Sequence, residues 1–302
     1  MKKIVFVFAG QGAQYSGMGQ SLYEVSPAVK ALYEGAETLR PGTMAQSFSG
    51  TAEELRQTVN TQPCLYLVDL AAALALEENG IHADFAAGFS LGEVAALAYA
   101  GAYSHMDGFS LVTKRGQFMD AASRGMEPGM AAVMKMEPAA IEALCAEIPD
   151  VYPVNYNSPG QIAISGTKAG IERFQAKAAG ARVLDIPVSG AFHSPFMAEA
   201  SEKLAGALKD MDFTAPKIPV YANLTAMPYG ENGKETLAAQ VQNPVQWQKS
   251  VENMIAAGAE VFIECGAGKT LAGLVRRIDK TVAVYSVQDA DSLRAVCEEV
   301  LG

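Results

Sequence analysis

Residues 4–8 form an unbroken run of Ile, Val and Phe, the pattern of a parallel strand covered on both faces. Apolar positions at helical spacing follow at 27–39 and 64–78. The same alternation resumes after Ala215, with strand runs at 218–223, 261–265 and 282–287 and helical patterns at 247–257, 270–278 and 292–301. Strands alternating with helices predict one parallel-type sheet with helices on both sides.

Residues 125–190 follow another rhythm. A strand at 130–136, a helix at 138–148, strands at 152–156 and 161–165, a helix at 170–179 and a strand at 182–188 spell βαββαβ, the ferredoxin-like motif. Gly and Pro punctuate the junctions, as in Glu127-Pro128-Gly129 and Ser158-Pro159-Gly160. The expected fold class is therefore α/β: a large α/β-hydrolase-like parallel-sheet domain from 1–124 and 191–302, with an inserted ferredoxin-like subdomain at 125–190. A cleft between the two is the natural place for a site.

Composition narrows the function classes. Of 302 residues, half are apolar and 19% charged, which suits a globular protein and excludes a disordered chain or a small disulfide scaffold. The 33 acidic residues outnumber the 23 basic ones for a net charge of −10, the wrong sign for a general grip on nucleic acid. Cys64, Cys145, Cys265 and Cys297 lie far apart without a CxxC pair, which fits reduced cytoplasmic thiols and no metal site. The opening Met1-Lys2-Lys3 and six apolar residues mimic a signal peptide, but the run ends in Gly10-Gln11-Gly12 instead of a cleavage region. The stretch 64–76 carries Asp69 and is too short to span a bilayer. A cytoplasmic protein without membrane or nucleic-acid partners is expected, with a monomer as the default.

Gly88-Phe89-Ser90-Leu91-Gly92 matches G-x-S-x-G, the sharp strand-to-helix elbow that exposes a serine hydroxyl. The flanks fit: residues 85–87 can end a strand, and Glu93 puts an acid in the first turn of a helix over 93–99. A tight β-to-α turn without chemistry is the plain alternative. An elbow serine sits at a helix N-terminus, where the Leu91 N–H can meet a developing oxyanion. The loop Gly10-Gln11-Gly12, after the first strand, is the candidate for a second donor.

Such a serine needs a base, and the chain has three histidines. His82 precedes the elbow strand and belongs at the opposite sheet edge, while His105 is expected in a solvated turn. His193, in Phe192-His193-Ser194-Pro195, lies where the chain returns from the small domain, beside the expected cleft. No acidic residue near it offers itself as an orienter, so a carbonyl or an amide is left to hold the ring. Arg115 lies on a helical stretch flanked by apolar residues; it is either a snorkelling surface arginine or a fork for a substrate carboxylate. Gly266-Ala267-Gly268-Lys269-Thr270 ends like a phosphate loop, but Ile263 stands where its first glycine belongs.

Across nearly the whole chain, these residues resemble the malonyl-CoA:acyl carrier protein transacylases and, more broadly, polyketide synthase acyltransferase domains. The resemblance rests on Phe8-Ala9-Gly10-Gln11-Gly12-Ala13-Gln14, the elbow from Gly88 to Glu93, Lys114-Arg115-Gly116, the stretch from Asn155 to Gln161, Phe192-His193, Tyr221-Ala222-Asn223 and the run from Gln240 to Trp247. It implies Ser90 as nucleophile, His193 as acid and base, and the N–H groups of Gln11 and Leu91 as oxyanion hole. It further implies the Gln240 carbonyl as orienter of His193, Arg115 as partner of the malonyl carboxylate, and Gln161 and Met130 along the thioester channel. Phe192 matches a pattern in which a bulky aromatic excludes an α-methyl group. The implied partners are malonyl-CoA and acyl carrier protein, with no cofactor because the CoA thioester is a substrate. Lys269, Arg276, Arg277 and Lys280 form the expected basic patch for an acidic carrier. One departure is Phe89, where the family usually has histidine. A serine hydrolase or thioesterase is the alternative enzyme, and a silent acyl-binding protein is a third reading.

Overall fold

The computed structural model describes residues 2–302 as two sheets wrapped by helices. Strands β1 (Lys3–Phe8), β2 (Phe85–Gly88), β7 (Val220–Tyr221), β8 (Ala259–Cys265) and β9 (Ala283–Val287) form one sheet in the order β7-β2-β1-β8-β9. Every pairing in it is parallel. Strand β1 is central, and its alternation serves both faces: Phe6 and Phe8 enter one apolar cluster, Val5 and Val7 another. The helix Thr58–Glu78 packs beneath this sheet and is buried over most of its length. By length and composition it could cross a membrane, but here its apolar surface is spent inside the core.

The second sheet takes all its strands from one segment: β3 (Pro128–Met134), β4 (Val151–Ser158), β5 (Gln161–Thr167) and β6 (Arg182–Asp185). Its order, β4-β5-β3-β6, and its antiparallel pairings are those of a ferredoxin-like βαββαβ unit. The segment before the helix Trp247–Ala256 runs against the small sheet. Val245 takes a bridge position beside β4, donating to the Val154 carbonyl at 2.8 Å and accepting from the Tyr156 N–H at 2.9 Å.

The α/β architecture expected from the sequence is present, with differences at element ends. The helices Pro27–Leu39 and Thr270–Ile278 run as read. Strand β7 is two residues instead of six, and β6 stops at Asp185. Helices at Thr43–Ser49, Ala198–Lys209 and Gly233–Gln240 were not anticipated by the sequence pattern. His105 is a correction: it opens the helix His105–Ala122 behind a Ser104 cap and is not in a solvated turn. Its carbonyl accepts from the Tyr66 hydroxyl, which pulls that corner against the core.

Candidate active site

The carboxyl end of β2 turns sharply into the helix Leu91–Tyr99, and Ser90 stands at the corner with φ 54° and ψ −103°. A non-glycine residue at such angles is strained and must be held. Packing explains the two flanking glycines. A Cβ on Gly88 would lie 1.9 Å from the Gly92 carbonyl carbon, and one on Gly92 would lie 2.2 Å from the Phe8 carbonyl oxygen. Asn223 clamps the corner from both sides, accepting from the Ser90 N–H at 2.7 Å and donating to the Gly88 carbonyl at 2.5 Å.

His193 reaches this corner from the 190–194 loop, itself at φ 59°, with its N–H bonded to the Val241 carbonyl. Its Nε2 is 2.7 Å from Ser90 Oγ. Its Nδ1 lies 3.0 Å from the Gln240 carbonyl and 3.2 Å from that of Asn243. Carbonyls only accept, so Nδ1 carries the proton and Nε2 is free to take one from the serine. Burial, and then the nearby Arg115 charge, push His193 down to about 4, against the pull of the two carbonyls. The ring is therefore neutral at pH 7.

Arg115 is almost wholly buried, on the helix His105–Ala122 that folds back beside the elbow helix. One amino group, Nη2, donates to Ser90 Oγ at 3.1 Å and to Gln240 Oε1 at 2.9 Å; the other, Nη1, donates to Gln62 Oε1 at 3.0 Å. Burial lowers it to about 10, and Glu93 opposes the drop. It stays charged at neutral pH. Glu93 is fully buried, accepting from Gln240 Nε2 at 2.7 Å, from the Asn223 N–H at 3.2 Å and from the Tyr229 hydroxyl. Burial pushes its carboxyl up to about 7 despite these donors.

Ser90, His193 and Arg115 open onto a cavity of about 490 Å³ between the two sheets. Gln11, Phe89, Leu91, Met130, Gln161 and Phe192 also line it. Leu91 opens its helix, so its N–H has no acceptor within the helix. The Gln11 loop lies close to the elbow: a Cβ on Gly10 would stand 2.9 Å from the Phe89 carbonyl oxygen. Phe89 packs on Trp247 with ring centroids 5.6 Å apart. Gln161, at the start of β5, accepts from Arg277 Nη1 at 2.8 Å, and Arg276 donates to the Val284 carbonyl. The expected basic patch is thus not one free cluster, since its two arginines are engaged with different neighbours. His82 is exposed beside Glu77, away from this cavity.

Nothing in the sequence pattern singles out Gln62, and Glu93 reads there only as an acid in the first turn of a helix. Asn223 stands out only within the Tyr221-Ala222-Asn223 motif. Glu93 and Asn223 are polar residues in largely apolar stretches, which spacing alone does not distinguish from surface positions, and Gln62 simply follows the polar Asn60 and Thr61.

A strained serine bonded to a neutral imidazole, at a helix N-terminus in a cleft, is an arrangement in which a serine hydroxyl can be activated for acyl transfer. Comparison with known proteins gives the family. Residues 5–296 match the acyl transferase domain, and the chain belongs to that family. The Bacillus subtilis protein named malonyl CoA-acyl carrier protein transacylase is 41% identical over 303 residues, spanning 97% of this chain and 96% of its own. A malonyl CoA-acyl carrier protein transacylase from Clostridium perfringens superposes with a TM-score of 0.95 at 35% identity, covering 99% of this chain and 97% of that one. A malonyl transacylase solved in complex with its type II polyketide synthase acyl carrier protein gives 0.94 at 34% identity, over 99% and 100% of the two chains.

Proposed function

We propose that this protein transfers the malonyl group from malonyl-CoA to the phosphopantetheine thiol of acyl carrier protein, for fatty-acid biosynthesis. The observation that carries the reading is the buried Arg115 guanidinium 3.1 Å from the nucleophile. A planar cation at that depth is the chemistry that selects an acyl group ending in a carboxylate.

In the first half-reaction Ser90 Oγ gives its proton to His193 Nε2 and attacks the thioester carbonyl. The oxyanion develops toward the N–H groups of Leu91 and Gln11. His193 then returns the proton to the departing CoA sulfur, leaving malonyl esterified on Ser90. Arg115 Nη2 exchanges its bond to Ser90 Oγ for the malonyl carboxylate. In the second half, the carrier thiol gives its proton to His193 and attacks the ester, and His193 reprotonates Ser90. The reading requires no cofactor.

A monomer in the cytoplasm completes the reading, where the four thiols, far apart in sequence, stay reduced. Carrier docking is assigned to Lys269, Arg277 and Lys280, because Arg277 reaches Gln161 at the cavity rim.

The test is to supply malonyl-CoA with and without holo acyl carrier protein and to quantify malonyl-carrier and free malonate. The reading expects malonyl-carrier as the main product. Malonate as the main product with carrier present would make the protein a thioesterase.

A further inference from the structure

Both hydrogens of the Gln240 amide are committed. Nε2 donates to the Ser90 carbonyl and to Glu93 Oε2, each at 2.7 Å. That leaves Oε1 facing Arg115 Nη2 at 2.9 Å. Turning the amide over would set Oε1 against a carboxylate and a carbonyl, and the NH₂ against a guanidinium, so every contact would pair like with like. No surface role explains a fully buried carboxyl at the first turn of the elbow helix, because burying a charge costs several kcal/mol. Its two oxygens meet three donors: Tyr229 and the Asn223 N–H on Oε1, Gln240 on Oε2.

We propose that Glu93 is a positioning residue that locks the Gln240 amide in one orientation and so holds Arg115 aimed at the acyl carboxylate. Glu93 acts on Arg115 through Gln240, whose main-chain carbonyl also holds His193. One carboxyl therefore sets the element that reads the acyl group, while the orientation of His193 rests on the main-chain carbonyls of Gln240 and Asn243. The inference rests on the malonyl-transfer reading and adds to it the origin of acyl selectivity.

The experiment measures kcat and KM for malonyl-CoA and acetyl-CoA in wild type, Glu93→Gln, Gln240→Leu and the double variant. A carboxamide at position 93 offers one acceptor oxygen to three donors, so the Gln240 amide loses its fixed orientation. A hydrogen bond to a charged group contributes about 1.5 to 3 kcal/mol, which is about 10- to 100-fold. Malonyl kcat/KM is expected to fall by that factor in Glu93→Gln, mainly through KM, with acetyl kcat/KM changed by less than about threefold. Gln240→Leu keeps the main-chain carbonyl and should show the same selectivity loss. The double variant should be no worse than Gln240→Leu alone, since both changes break one chain of contacts. Tyr229→Phe removes a donor from the other carboxyl oxygen and should alter thermal stability without altering the malonyl-to-acetyl ratio.

Equal losses on both substrates in Glu93→Gln, or additive losses in the double variant, would overturn the proposal. Should Glu93→Gln not fold, a wild-type ratio in Gln240→Leu would overturn it alone. A wild type that does not prefer malonyl would instead sink the malonyl-transfer reading.

Discussion

On the large-sheet side of the cleft, Ser90, His193, Arg115, Gln240 and Glu93 bond to one another or to backbone, and Arg115 Nε is the one polar side-chain atom among them left without a partner. Across the cavity, on β4 of the small sheet, Asn155 and Asn157 are also buried, yet both Oδ1 atoms lack a protein partner. Both line the same cavity. The difference separates two tasks. Groups that move protons must be held before substrate arrives, because reorganisation during the reaction adds to the barrier. Groups that bind a substrate chain can stay unpaired until it arrives; here both Oδ1 atoms are shut off until their side chains turn, and a buried unpaired carbonyl costs about 1 to 3 kcal/mol until something satisfies it. Substitutions on the first wall should therefore strike rate and acyl choice, and those on the second should strike KM.

The largest effect is expected at His193. His193→Ala removes the base of a neutral hydroxyl and should lower transfer by about 10²- to 10⁴-fold; near wild-type turnover would make the histidine structural. The same residue fixes a pH limb. Its folded value is lowered, so it stays neutral until pH falls toward about 4, and protonation there removes the acceptor for the Ser90 proton. The acid limb of kcat/KM should thus lie well below the ordinary histidine value near 6.5. A limb at 6.5 or higher would show that Arg115 and burial do not act on the ring as described.

Arg115→Ala comes next. Loss of one partner of a buried charge pair costs about 2 to 5 kcal/mol, or about 30- to 5,000-fold in malonyl kcat/KM. Acetyl has no carboxylate, so its transfer should be spared or improved; parallel losses would mean that Arg115 only supports the fold. On the second wall, Asn157→Ala forfeits about one neutral hydrogen bond and should raise KM for malonyl-CoA and acetyl-CoA alike by about fivefold, with kcat unchanged. A fall in kcat would erase the contrast between the walls. Smallest is the rim. Arg277→Glu should slow transfer to carrier at low salt and converge on wild type as salt rises, whereas a salt-independent loss would point to its bond with Gln161.

The elbow was legible because its requirement is local: two glycines, a strand before and a helix after, all within ten residues. The ferredoxin-like unit was legible because glycine and proline mark its junctions. Glu93 was not, because a helix start predicts an exposed acid there. The return of residues 220–240 over the elbow supplies its hydrogen-bond donors, and that segment carries the short helix Gly233–Gln240, whose mixed composition gives no strong period. Arg115 was legible as a residue type but not as a contact. It is 25 positions from Ser90, and the two meet only because adjacent helices fold back on one another. Phe89 was legible as a departure from the family, and the structure gives it a packing role against Trp247.

The most direct test is competitive loading. Wild type and Ser90→Ala are mixed with equal concentrations of malonyl-CoA and acetyl-CoA, quenched within the first turnover, and read by intact mass and peptide mapping. The account predicts a single adduct on wild type, of malonyl mass, on the peptide containing Ser90, and none on Ser90→Ala, which keeps its thermal transition. Equal malonyl and acetyl adducts, or an adduct that persists in Ser90→Ala, would contradict it.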